Sequence, residues 1–156
     1  MRVERCVTAS FLALSLAVHP NALATIAMPA KPSQSMSIRI LFNGKVITAK
    51  LHDTPAGRDF YAMLPLKLDW RDHAATEKVA DLPRKLSVKD APSGYQPSRG
   101  DIAYYGPWGN LAIYYKDFAY SEGLVKLATI DGGIEHLAAA KPGPVMIERD
   151  IASVPR

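Results

Sequence analysis

Gly100–Phe118 reads GDIAYYGPWGNLAIYYKDF, two runs of β-branched and aromatic residues around the knot GPWGN. Such residues suit a pleated, half-buried surface, and Gly and Pro punctuate the chain between them. The stretch predicts a hairpin with strands near Asp101–Tyr105 and Leu111–Tyr115. Successive strand side chains point to opposite faces. One of Tyr104 and Tyr105, and one of Tyr114 and Tyr115, must then face a core, leaving the other two on the outside with Trp108. Outward aromatic residues have two readings here. They form a recognition edge, since Tyr and Trp bury much area at low entropy cost, or they pair across strands to pin the register.

The pattern continues on both sides. SIRILF (37–42) and VITAKL (46–51) flank Asn43-Gly44, a two-residue hairpin signal because both turn positions need φ > 0. Thr54 suits an N-cap and Pro55 the first helical position, and Phe60, Met63 and Leu64 share a helical face. Pro65 ends that helix, and LKLDW (66–70) alternates as a strand. Arg71–Leu86 reads as charged and irregular, Lys85–Val88 as a short strand, and Ala91–Ser98 as a loop. Leu124–Ile130 and Val145–Arg149 read as strands. Asp131 is placed to cap a second short helix through IEHLAAA. Many short sequential strands with two short helices predict a mainly β fold, a closed antiparallel barrel, which also removes sheet edges.

The first 24 residues differ in kind. MRVER is basic, an uncharged apolar run follows, and Ala22-Leu23-Ala24 is a small-residue end. That order predicts a signal peptide cleaved after Ala24, and a periplasmic or secreted protein. The run is too short to span a bilayer, which needs about 20 residues. Residues 25–35 read as a linker, 36–150 as the domain, and 151–156 as a tail. The one cysteine, Cys6, lies in the leader. The cleaved chain would hold no disulfide and no thiolate metal site. The formal charge of +4 is spread without a basic stripe, which argues against nucleic-acid binding. No membrane span is expected after cleavage, and the sequence leaves the oligomeric state open.

Five segments in order, NGK, TPAGRDFYAMLPL, LDWRDHAATEKVADLPRKL, GDIAYYGPWGNLAIYYKD and GLVKLATIDGGIEHL, resemble the small bacterial cyclophilin-like domains of undefined function. The resemblance runs from about Met36 to Arg149. It implies a cyclophilin-like closed barrel whose open ends are plugged by helices. Similarity to true prolyl isomerases is weaker. Their Phe-His-Arg-apolar-Ile-Pro run, with its downstream Gln-Gly-Gly, has no counterpart in the segment after the helix, and Leu111–Tyr115 stands where their Gln-Phe-Phe-Ile strand is expected. No catalytic residue is carried over on that resemblance.

Other chemistries find little support. Arg58, Arg71, Arg84 and Arg99 could each offer a donor to a prolyl amide, but no spacing selects one. His52, His73 and His136 do not share metal-ligand spacing, so neither a metal nor a cofactor is expected. His73 beside Asp69, Asp72 and Glu77 is the one cluster of note. No Gly-x-Ser-x-Gly elbow occurs. Glu77-Lys78 reads as a solvated pair, with the alternative that Glu77 points into a cleft. Trp70 reads as core. The expectation is a peptide- or small-ligand-binding module using Tyr105, Trp108, Asn110, Tyr114 and Glu77, with a divergent prolyl isomerase as the alternative.

Overall fold

The computed structural model describes residues 36–151. The signal peptide expected over 1–24, the linker over 25–35, Cys6 and the tail beyond Ile151 lie outside the described residues. Asn43 and Gly44 have φ of 46° and 71°, as the tight turn requires. They join β1 (Ser37–Phe42) to β2 (Lys45–Leu51). Thr54 caps helix α1 (Pro55–Met63), its Oγ1 accepting from the Gly57 N–H at 3.0 Å, and Pro55 opens the helix. Then come β3 (Leu66–His73), β4 (Glu77–Asp81), β5 (Gly94–Tyr95), β6 (Asp101–Tyr105), β7 (Asn110–Tyr114), β8 (Ser121–Glu122), β9 (Leu124–Gly132) and β10 (Gly143–Arg149).

Eight strands close into a barrel in the order β1-β10-β3-β4-β7-β6-β9-β2, with every pairing antiparallel. Bulges in the pairing at Thr48/Ala49 and Ile102/Ala103 add local twist on either side of β9. The interior is filled by alternate residues of these strands, among them Ile38, Ile40, Ile47, Ile102, Tyr104, Leu127 and Ile147, with Phe60 from α1. Trp70 is core, as expected. Its ring lies 4.5 Å from that of Phe42, and its Nε1 donates to the Lys141 carbonyl at 3.1 Å.

A second apolar layer lies outside the barrel. Val79, Ala103, Ala112, Tyr114 and Leu124 form its buried part, with Tyr95 and Tyr105 packed against it. The two-stranded ribbon of β5 and β8 belongs to this side: Tyr95 pairs with Ser121, and the Gly123 N–H donates to the Ser93 carbonyl at 2.6 Å. The expectation that the outward tyrosines are exposed is therefore corrected for Tyr114. It is 3% exposed, because Phe118 stacks over it with ring centroids 6.5 Å apart.

Four further expectations change. The segment taken as irregular contains β4, which bridges β3 and β7 in the barrel wall. Glu77 and Lys78 are consequently both buried and form no solvated pair. Lys78 Nζ donates to Asp72 at 2.9 Å and to the Ala140 carbonyl at 2.7 Å, and Tyr115 donates to the same carboxylate at 2.7 Å. Lys85–Val88 is not a strand: Arg84 bonds Asp59 on α1, and the Leu86 N–H donates to the Tyr104 hydroxyl. Asp131 lies within β9 and bonds Thr48 instead of capping a helix. The second helix reduces to a 3-10 turn, Ile134–His136, preceded by Gly133 at φ 83°. Among the described residues the fold has one α-helix and this turn.

Candidate functional site

The β6–β7 hairpin turn is held from two sides. The Gly109 N–H donates to the Tyr105 carbonyl at 2.8 Å, and the Gly106 N–H donates to the Gly123 carbonyl at 2.9 Å. Gly123 has φ of 77°, and a Cβ there would stand 2.8 Å from Pro107 Cδ. Only glycine lets the turn lie so close. Pinned in this way, Trp108 rises beside the outer face of the barrel, 62% exposed, with edge-on contacts to Tyr105 at 5.3 Å and His73 at 5.9 Å.

Strand register supplies the opposite wall. Tyr105 pairs with Asn110, Ala112 with Val79 and Ala103, and Tyr114 with Glu77. Alternation then puts Asn110, Ala112 and Tyr114 on one face of β7. After β7 the chain folds back: the Tyr115 N–H donates to the Thr76 carbonyl and the Phe118 N–H to the Pro97 carbonyl. This brings Phe118 over Tyr114. The small side chain of Ala112 leaves space between the walls.

The result is a cavity of about 160 Å³ lined by His73, Glu77, Tyr105, Trp108, Asn110, Ala112, Tyr114, Phe118, Ser121 and Leu124. All five residues singled out from the sequence, Glu77, Tyr105, Trp108, Asn110 and Tyr114, line it. His73 was noted only as a member of the cluster with Asp69, Asp72 and Glu77, and sequence reasoning missed the other four. Phe118 carried a signal, as the last aromatic residue of the opening stretch, and so did Ala112, as the small residue on the outward face of its strand. Ser121 and Leu124 carried none.

The profile of the Cyclophilin-like family matches residues 40–148. The chain belongs to this family. No curated protein matches it. Among solved structures, it is similar to the solution structure of a hypothetical protein from Archaeoglobus fulgidus. The TM-score is 0.56 at 16% identity, with 74% of this chain and 95% of that chain covered. At that identity the likeness concerns the fold alone.

In this member of the Cyclophilin-like family the polar groups of the cavity are unusual. Burial pushes the Glu77 carboxyl up, against the opposing hydrogen bond from Tyr114 and the nearby His73. Burial, followed by the charge of Glu77, pushes the Tyr114 hydroxyl well above the usual phenol range. Asn110 is 1% exposed, and its Oδ1 has no hydrogen-bond partner among the described residues. Glu77 forms no salt bridge there either.

The other candidates disperse. Arg58, Arg71 and Arg84 are engaged with Asp53, Asp81 and Asp59, and the backbone N–H of Arg99 donates to Asp117. His52 meets Thr129 at 3.4 Å and His136 meets Glu135 at 3.4 Å. Asp72 of the His73 cluster turns to Lys78 and Tyr115. Burial would raise its carboxyl, but those hydrogen bonds hold it below the ordinary value. Among the described residues no three His, Cys, Asp or Glu side chains gather as metal ligands, and no helix there is long and apolar enough to cross a membrane. Two larger concavities occur, of about 610 Å³ beside the Asn43-Gly44 turn and about 350 Å³ beside the start of α1. Neither is lined by a buried carboxylate.

Proposed function

We propose that this Cyclophilin-like protein is an exported binding module for a peptide or small ligand, received in the outer-face cavity between Trp108 and Tyr114. The observation that carries the reading is Asn110: a buried amide oxygen left without a donor, on the wall of a cavity that also holds a buried carboxylate. Such groups cost free energy unless something satisfies them. A ligand with hydrogen-bond donors does so. The aromatic walls supply apolar contact area, the usual composition of a ligand site. Export is supported by the order of residues 1–24, basic then apolar then Ala22-Leu23-Ala24.

A divergent prolyl isomerase is the second reading, and its support is the fold, a weak guide to activity. The cavity lining offers no arginine or lysine to the prolyl nitrogen. Two measurements separate the readings: an isomerisation assay on short X-Pro peptides, and calorimetric titration with those peptides and a panel of small fragments. Saturable binding that Trp108→Ala weakens about tenfold or more, without acceleration of isomerisation, is the expected result. Acceleration of isomerisation that Trp108→Ala abolishes would favour the enzyme.

A further inference from the structure

The cavity accepts hydrogen bonds far better than it neutralises negative charge. Its lining contains Glu77 and Asn110, whose buried Oδ1 has no hydrogen-bond partner among the described residues, and no lysine or arginine. The titratable groups that face Glu77 are Tyr114 across the sheet and His73 and Asp72 from β3. Of these, only Tyr114 hydrogen-bonds to it. A buried carboxylate without a cation is costly, and the cost falls when a cation arrives with its own donors. The rest of the lining is aromatic. Tyr105, Trp108, Tyr114 and Phe118 surround the same space, in two ring pairs at 5.3 Å and 6.5 Å. Ring faces attract cations, most strongly those of Trp.

Size limits the choice further. A volume of about 160 Å³ is that of a few waters, at about 30 Å³ each. It admits a head group and a short stem. An anion would face Glu77 with only the His73 imidazole to offset its charge. A neutral amide would satisfy Asn110 and leave the carboxylate uncompensated.

We infer that the cavity takes a primary ammonium head, its N–H groups donating to Glu77 and to Asn110 Oδ1 while the four aromatic rings enclose its stem. This inference rests on the binding reading above. The head could belong to a free alkylamine or to a lysine side chain of a peptide, which present the same chemistry.

Titration calorimetry on the full chain tests it with n-butylammonium chloride, butyramide and sodium butyrate, which are alike in size and differ in charge. Each titration is repeated by amide chemical-shift mapping to locate the binding. n-Butylammonium should bind at the cavity at least about tenfold more tightly than butyramide, and butyrate should not bind there. Glu77→Gln should remove that preference. Because a change at Glu77 can disturb folding, Asn110→Ser and Trp108→Ala are measured beside it, each with its melting curve, and both should weaken the ammonium while the protein still melts cooperatively. A lysine-centred pentapeptide and its norleucine counterpart separate the sources. A lysine peptide tighter than n-butylammonium identifies a peptide ligand, and a weaker one identifies a free amine. Butyramide or butyrate bound at the cavity as tightly as the ammonium overturns the ligand class and leaves the binding reading standing. No probe bound at the cavity in the millimolar range overturns both.

Discussion

Glu77 and Tyr114 stand opposite each other in the register of β4 and β7, and the tyrosine hydroxyl hydrogen-bonds to the carboxyl. The pair faces outward from the barrel and yet is buried, at 8% and 3% exposure, beneath Phe118 and the returning chain. A carboxyl in that position makes stability depend on pH with an unusual sign.

Glu77 is raised from 4.5, so above that value the unfolded chain releases a proton that the folded chain retains. Folding stability therefore falls as pH rises from about 4.5 to the folded value, by about 1.4 kcal/mol per unit of separation. Asp59 is lowered, by its hydrogen bond from Arg84 first, and Asp72 is lowered too. Their contributions are present above 3.8 and lost as pH falls below it. Urea unfolding across pH should show a decline above about pH 4.5 that Glu77→Gln flattens, with the acid limb unchanged. An unflattened decline would assign it to another group.

The two tryptophans should respond oppositely. Trp70→Ala empties a core position against Phe42 and should cost about 3–5 kcal/mol. Trp108→Ala removes a ring that is largely in water and should cost less than about 1 kcal/mol. Urea midpoints of the two variants check this. A large loss at Trp108 would make the ring structural and remove it from the site.

Ala112 gives the cavity its room, so Ala112→Leu should fill it. Ala112 is itself buried, and the added volume should cost about 1–3 kcal/mol. The variant should still melt cooperatively while losing ligand binding. Binding of undiminished affinity would show that the ligand sits elsewhere.

Lys78 ties Asp72, the Ala140 carbonyl and, through Asp72, Tyr115. Burial first, then the bond to Asp72, pushes the Tyr115 hydroxyl up to about 12. Lys78→Ala strands these acceptors and should cost about 3 kcal/mol. Lys78→Met, which keeps the stem, should cost less. Equal losses would mean that the charge and its hydrogen bonds, and not packing of the stem, carry the whole effect.

These residues also mark the limit of what the sequence discloses. The hairpins were legible because Asn43-Gly44, and the β-branched and aromatic runs of β6 and β7 around Gly106-Pro107-Trp108-Gly109, are local signals. Strand β4 was not, because Glu77-Lys78-Val79-Ala80 is buried on both faces. Lys78 is satisfied only by Asp72 and a carbonyl far along the chain, and Glu77 only by Tyr114. Polar residues placed by long-range partners break the binary pattern. Asp131 looked like a helix cap for the same reason, since its partner Thr48 lies on another strand. The aromatic half of the cavity was visible in one contiguous stretch. Its polar half was a matter of register across β4, β7 and β6.

The most direct measurement is amide chemical-shift mapping on the isotope-labelled protein, titrated with a panel of n-butylammonium, butyramide, butyrate and an N-acetylated proline amide. The account predicts saturable shifts confined to the backbone around His73, Glu77, Tyr105–Asn110, Ala112, Tyr114 and Phe118. Shifts centred on Asn43–Val46 or Thr54–Ala56, or no saturable shift with any of these compounds, would contradict it.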